Sequence, residues 1–172
     1  MKKVTIDKFL EFNPCYSEKE IRKIAGEKNE WAALDVLNLK QIPPEDRLWA
    51  VLREEFIEAP ILHEFACRCA ERALSMVENP DSRSLQAINA KRAWLRVEIT
   101  DKELDAAWDA ASDAAGDAAF AAAWAAARDT NNAAWGAAWD AAKSAASDAA
   151  ALAAERIWQI KELKSMLEGG EG

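Results

Sequence analysis

Histidine is nearly absent: His63 is the only one, and Tyr16 is the only tyrosine. A reaction that leans on histidine as general base therefore has one candidate. Cys15, Cys67 and Cys69 make an odd count with no CxxC pair, which argues against a disulfide framework and for reduced thiols. His63 and Cys67 stand four apart on a helical pattern, but Cys69 lies about 200° further round. The three cannot converge on a metal without unwinding the helix, so no metal site and no cofactor are expected. Cys15 has no sequence signal of a base beside it, so a cysteine nucleophile is not expected either. Apolar runs are short as well. Nothing approaches the roughly 18 residues that cross a bilayer, and Ala118–Ala127 is both brief and alanine-dominated. Met1-Lys2-Lys3 leads into Val4-Thr5-Ile6-Asp7 without an apolar leader core, so a cytoplasmic location is expected.

Positive charge is also scarce in one half. The net charge is −8. Residues 101–155 hold ten acids but only Lys102, Arg128 and Lys143 as bases. Such a segment cannot release counterions from a phosphate backbone, so direct nucleic-acid binding there is excluded. It suits a basic partner or plain solubility.

What the chain does have is helix punctuation. Lys3–Phe12 reads as a short strand or a first helical turn. Ser17 and Glu20 form a capping box, and Gly26 suits the far end of that helix. A short helix is expected over Glu30–Leu39. Pro44, followed by Glu45 and Asp46, starts another. Residues 60–77 carry Leu62, Phe65, Ala66, Cys69, Ala70, Ala73 and Leu74 at helical spacing. Asn79-Pro80-Asp81 makes a turn and cap, and Thr100 with Glu103 makes a second capping box.

From Ala106 to Ala154, 27 of 49 residues are alanine, mostly in pairs every four residues. Alanine has the highest helix propensity, and Asp129-Thr130-Asn131-Asn132 interrupts the array with poor helix formers that favour caps. The expected fold is all-α, in three parts. Residues 1–100 form a small helical domain, 101–168 an alanine- and tryptophan-rich antiparallel hairpin packing back on it, and 169–172 a flexible tail. The hairpin helices are expected over about 101–128 and 132–166, each on the order of 40–50 Å long. Trp108, Phe120, Trp124, Trp135 and Trp139 supply the bulk that alanine lacks, and Gly116 and Gly136 mark close crossings.

Two side-chain sets are candidate sites. Asp105, Asp109, Asp113 and Asp117 recur every four residues and would form a slowly spiralling acidic strip on one helix, turning about 40° per step. With Trp108, Trp124, Trp135 and Trp139 they are the candidate partner-binding residues. Arg68, Arg72, Arg83 and Arg92 fall on neighbouring helices, with Lys91 and Arg96 beside them, and could hold a small anion or nucleotide. The competing reading is that they pair with Glu64, Glu71, Glu78 and Glu98. No pair of carboxylates has the contrasting surroundings that separate an acid from a base. An ice-binding face is excluded because Thr130 is the only threonine of the alanine-rich region.

Five stretches carry a family resemblance. They are Pro44-Glu45-Asp46-Arg47-Leu48-Trp49, His63-Glu64-Phe65-Ala66-Cys67-Arg68-Cys69-Ala70-Glu71-Arg72-Ala73-Leu74, Asn79-Pro80-Asp81-Ser82-Arg83, the alanine-pair array, and Glu155-Arg156-Ile157-Trp158-Gln159. Together they resemble a family of bacterial and phage-borne immunity proteins, over nearly the whole chain. The resemblance implies a small non-enzymatic protein that binds and neutralises a toxin, and it brings no catalytic residues. Relatives often place arginine where this chain has aspartate between the alanine pairs. The expected partner is thus a basic protein, a toxin or effector. Two alternatives stand beside it. One is a phage counter-defence protein that mimics nucleic acid or sequesters a nucleotide signal. The other is a self-association module in which two hairpins pair into a four-helix bundle as a homodimer.

Overall fold

The computed structural model describes residues 2–114, 116–145 and 149–169. Among them lie ten helices and one two-stranded sheet, so the chain is all-α with a minor β element. The order is β1 (Lys3–Thr5), α1 (Ile6–Leu10), α2 (Glu18–Ala25), β2 (Glu30–Ala32), α3 (Ala33–Leu37), α4 (Pro44–Val51), α5 (Ala59–Ser75), α6 (Ser82–Leu95), α7 (Asp101–Ser112), α8 (Asp117–Ala126), α9 (Thr130–Ala145) and α10 (Ala149–Gly169).

Local signals fix most helix starts. Ser17 Oγ accepts the Glu20 amide while the Glu20 carboxylate accepts the Ser17 amide. Thr100 and Glu103 repeat the arrangement at α7. Asp81 caps α6 through the Arg83 amide, and Asp129 caps α9 through the Asn132 amide at 2.7 Å. Each satisfies an amide that the first turn leaves without a partner.

Two expectations are corrected here. The first concerns the stretch 30–39, expected to be wholly helical. Residues 30–32 form β2 instead, antiparallel to β1, with Val4 opposite Trp31. That aromatic–β-branched cross-strand pair stabilises the ribbon, and the helix begins only where the Asp35 carboxylate accepts the Ala32 amide. The second concerns the hairpin. The first of its two expected long helices is two helices. It breaks between Ser112 and Asp117, where Gly116 takes φ +101, a backbone open to glycine and poor for alanine. The second is described as α9 and α10 on either side of residues 146–148, which lie outside the described residues. Of the expected tail, Gly169 ends α10 and 170–172 lie outside the described residues.

One apolar cluster draws on both stretches of the chain. It joins Leu48, Phe56, Leu62, Phe65 and Leu74 to Ala118, Ala122, Ala134 and Ala138 and on to Ile160, Leu163 and Leu167. At its centre is α5, packed against α8 and α9. The alanines are what let these helices approach. Gly136 is the extreme case: a Cβ there would stand 2.6 Å from the Trp124 ring, which lies across the helix at that point. A smaller cluster, Ala87, Leu104, Ala111, Ala123 and Ala126, seals α6 and α7 to α8.

Candidate functional site

The four aspartates expected to line one helix are split between two. Asp105 and Asp109 lie on α7, Asp113 caps its C-terminal end, and Asp117 opens α8. The break at Gly116 therefore turns the strip from a single stripe into a set spread over two packed helices. Two of the four are already engaged. Asp105 meets Arg128 at 3.0 Å and Asp117 meets Lys143 at 3.1 Å. Asp109 and Asp113 are exposed and make no side-chain hydrogen bond or close ion pair among the described residues, although Asp113 lies within the field of Arg83.

The tryptophans differ from one another in the same way. Trp108, Trp124 and Trp139 each keep a little over a third of their surface in solvent. Trp124 is nevertheless fastened, with its ring over Gly136 and close to the Asp140 carboxyl. Asp140 is largely buried, and that desolvation raises its pKa. Trp135 is half-buried, its ring 5.7 Å from that of Trp139. The Arg156 guanidinium sits 5.7 Å from the first and 5.1 Å from the second. Arg156 is itself buried and donates to the Ala138 carbonyl and to Gln159 Oε1. The Trp135–Trp139 pair thus holds α10 against α9. Phe120 is as exposed as these tryptophans. The alanine array hid it from the list of binding residues, although it stands three residues from Asp117 and four from Trp124, on neighbouring positions of one helix. Exposed aromatics among carboxylates, with cations limited to Lys102, Arg128 and Lys143, make α7–α9 an acidic surface with apolar anchors.

The arginines are paired. Arg92 bridges Glu64 and Glu71, Arg68 bridges Glu64 and Glu162, and Arg83 grips Asp81 at 2.7 Å. Arg72 meets the buried Glu155 at 2.7 Å and stacks 4.4 Å from the Trp158 ring. Hydrogen bonds from Arg83 hold the Asp81 carboxyl at about 2, and those from Arg92 and Arg68 hold Glu64 below its usual range. A phosphate arriving at this set has to displace carboxylates that are already fitted to the guanidinium forks.

Lys91 does not belong with them. It is fully buried (0% exposed). Its ammonium donates to the Ala127 carbonyl at 2.7 Å, which caps the C-terminal end of α8 where the helix dipole favours a cation. It also lies 4.2 Å from the Trp94 ring. Beside it, the Nε2 of buried His63 is 3.3 Å from the Thr130 hydroxyl, and Nδ1 has no hydrogen-bond partner among the described residues. Burial lowers His63 to about 4 and Lys91 to about 8, and pushes the Cys67 thiol up to about 12. The cluster ties α5, α6, α8 and α9 together. Nothing in the alternation around Lys91-Arg92 marks which of the two turns inward. Among the described residues no group of three or more His, Cys, Asp or Glu is placed to hold a metal, and no helix is long and apolar enough to cross a membrane.

Comparison with family models, with curated proteins and with solved structures gives no match to this chain.

Proposed function

We propose that this chain is a non-enzymatic immunity or inhibitor protein that neutralises a basic toxin or effector by covering its working surface. The observation that carries the reading is the α7–α9 surface, where exposed Trp108, Phe120, Trp124 and Trp139 stand among aspartates. Aromatic side chains concentrate binding energy in interfaces. Unpaired surface carboxylates speed encounter with a basic partner and make that encounter sensitive to salt. Asp109 and Asp113 are the two that need not break an ion pair to act.

A reducing compartment, the cytoplasm, belongs to the proposal, since all three cysteines are free and Cys15 is exposed. The nucleotide-sequestering alternative gains nothing from the arginines, because each is held by a carboxylate. The self-association alternative uses the same aromatic surface, and light scattering separates the two. A concentration-independent monomer leaves the surface free for a different partner; a dimer lost on Trp108→Ala assigns it to a second copy. The direct test is partner affinity against ionic strength for the Asp109→Asn/Asp113→Asn variant. Affinity and salt slope should both fall, and unchanged values would remove the electrostatic part of the reading.

A further inference from the structure

A second feature lies apart from that surface and shares no residue with it. Between α1, α2, α3, α4 and the β-ribbon is a cavity of about 90 Å³, partly open to solvent. Its floor is aromatic: Phe9 meets Trp49 and Phe56 edge-to-face, with centroids 6.4 and 6.5 Å apart. Ile21, Ile24 and Ala25 of α2 form its roof. Among the described residues the only carboxylate in the wall, Asp46, is occupied by the Tyr16 hydroxyl at 2.6 Å, and no cationic side chain lines the space. Enclosed apolar cavities stay dry and take up small apolar molecules, one of about 150 Å³ accepting benzene; this one is smaller, partly open and as apolar in its walls.

The roof is lightly fastened. α2 packs chiefly on the short α1 and is tied by the exposed Arg22–Asp7 ion pair. The loops on either side of it contain residues with left-handed backbone, Asn13 at φ +52 and Gly26 at φ +61. Large planar side chains below and one small residue, Ala25, above leave a gap that neither layer fills. We propose that this cavity is a binding site for a small, uncharged, hydrocarbon-like ligand, one aromatic ring or a short alkyl chain, seated on Phe9, Trp49 and Phe56 beneath α2.

The ligand class follows from the wall. Apolar burial is the only attraction on offer, and the absence of a cation among the lining residues leaves an anionic headgroup unpaired beside Asp46.

The test is a methyl-resolved NMR titration of the full chain with benzene, and with benzoate as the charged comparison. Saturable shifts are expected at Ile21, Ile24, Val36, Leu39 and Ile42, with Ile160 and Leu163 in the main core unmoved. Benzoate should bind at least about tenfold more weakly, the cost of burying an unpaired charge being at least one decade in affinity. Ala25→Phe, which fills the space from the roof, should abolish the benzene shifts while circular dichroism stays helical. Absence of saturable shifts in the unaltered chain overturns the proposal. So do shifts that persist in folded Ala25→Phe, or benzoate binding equal to benzene. If Ala25→Phe does not fold, the contrast between the cavity methyls and the core methyls of the unaltered chain decides alone.

Discussion

Around α1–α4 the interior is built from Phe9, Trp31, Leu48, Trp49 and Phe56, whereas between α8 and α9 it is built from alanine. The first region interlocks large shapes and leaves a cavity of about 90 Å³. The second brings backbones together, so that at Gly136 even a methyl group would meet the Trp124 ring. Alanine buries little area, so the α8–α9 layer takes its apolar stabilisation from the partner it lies on, above all Leu62, Phe65 and Leu74 of α5. Removing bulk should therefore hurt most where the two regions meet, and adding bulk should have opposite effects in each.

The largest effect is expected at that meeting point. Phe65→Ala, deep in α5, should lower stability by about 3–5 kcal/mol in chemical denaturation. If its loss left α8 and α9 folded, the dependence of the alanine layer on α5 would be wrong.

Next comes pH. His63 titrates at about 4 in the fold against 6.5 in the open chain, and Lys91 at about 8 against 10.5. Burial disfavours the charged form of both, so the unfolded chain binds more protons across each window. Stability should fall as pH drops from 6.5 to 4 and rise as pH climbs from 8 to 10.5. Each window is worth roughly 2–4 kcal/mol. His63→Gln should flatten the acid limb, and a limb that survives this change would assign it to the carboxylates instead.

Third is the contrast in packing. Ala137→Leu in α9 should destabilise by about 1–3 kcal/mol through overpacking, while Ala25→Phe, into the cavity, should be neutral or stabilising. Thermal unfolding of the two variants compares the regions directly, and equal losses would erase the distinction.

A smaller gain is expected at Val97. It sits just past the C-terminal end of α6 at φ +60, with the Glu98 amide bonded to the Ala93 carbonyl and its own amide to the Trp94 carbonyl. This is the position where helix-terminating motifs usually carry glycine. A β-branched residue is strained there, and Val97 is 90% exposed, so its side chain contributes little packing. Val97→Gly should stabilise by about 1 kcal/mol, read as a rise in Tm.

Much of this architecture was legible in the sequence because it is local. The Ser17–Glu20 and Thr100–Glu103 capping boxes, the start at Pro44 and the long α5 each depend on residues within a turn of one another. The failures are non-local. Alanine favours helix on both sides of Gly116, and a lone glycine costs a helix only about 1 kcal/mol, so the residue types do not show that the array breaks there. The β1–β2 ribbon joins residues more than twenty positions apart, so the Val4–Ile6 alternation allowed a strand at Lys3 without showing its partner over Glu30–Ala32. At the candidate surface the residue types were readable and their state was not. Asp105 and Asp117 prove to be paired, Trp135 and Trp139 prove to hold Arg156, and Asp109, Asp113 and Trp108 remain the freest of the set. Lys91 was invisible for a related reason: a buried lysine and a surface lysine look alike until the carbonyl it caps is in place.

The most direct test of the binding account is affinity capture from source-cell lysate at low and high salt, with the unaltered chain and with Trp108→Ala/Asp109→Asn/Asp113→Asn run side by side. These three positions are exposed, and the two aspartate changes should shift stability by no more than about 0.5 kcal/mol. The account expects a basic protein held by the unaltered chain at low salt, released at high salt, and lost from the triple variant while its helical spectrum is unchanged. A partner retained equally by the triple variant, or one indifferent to salt, would contradict it.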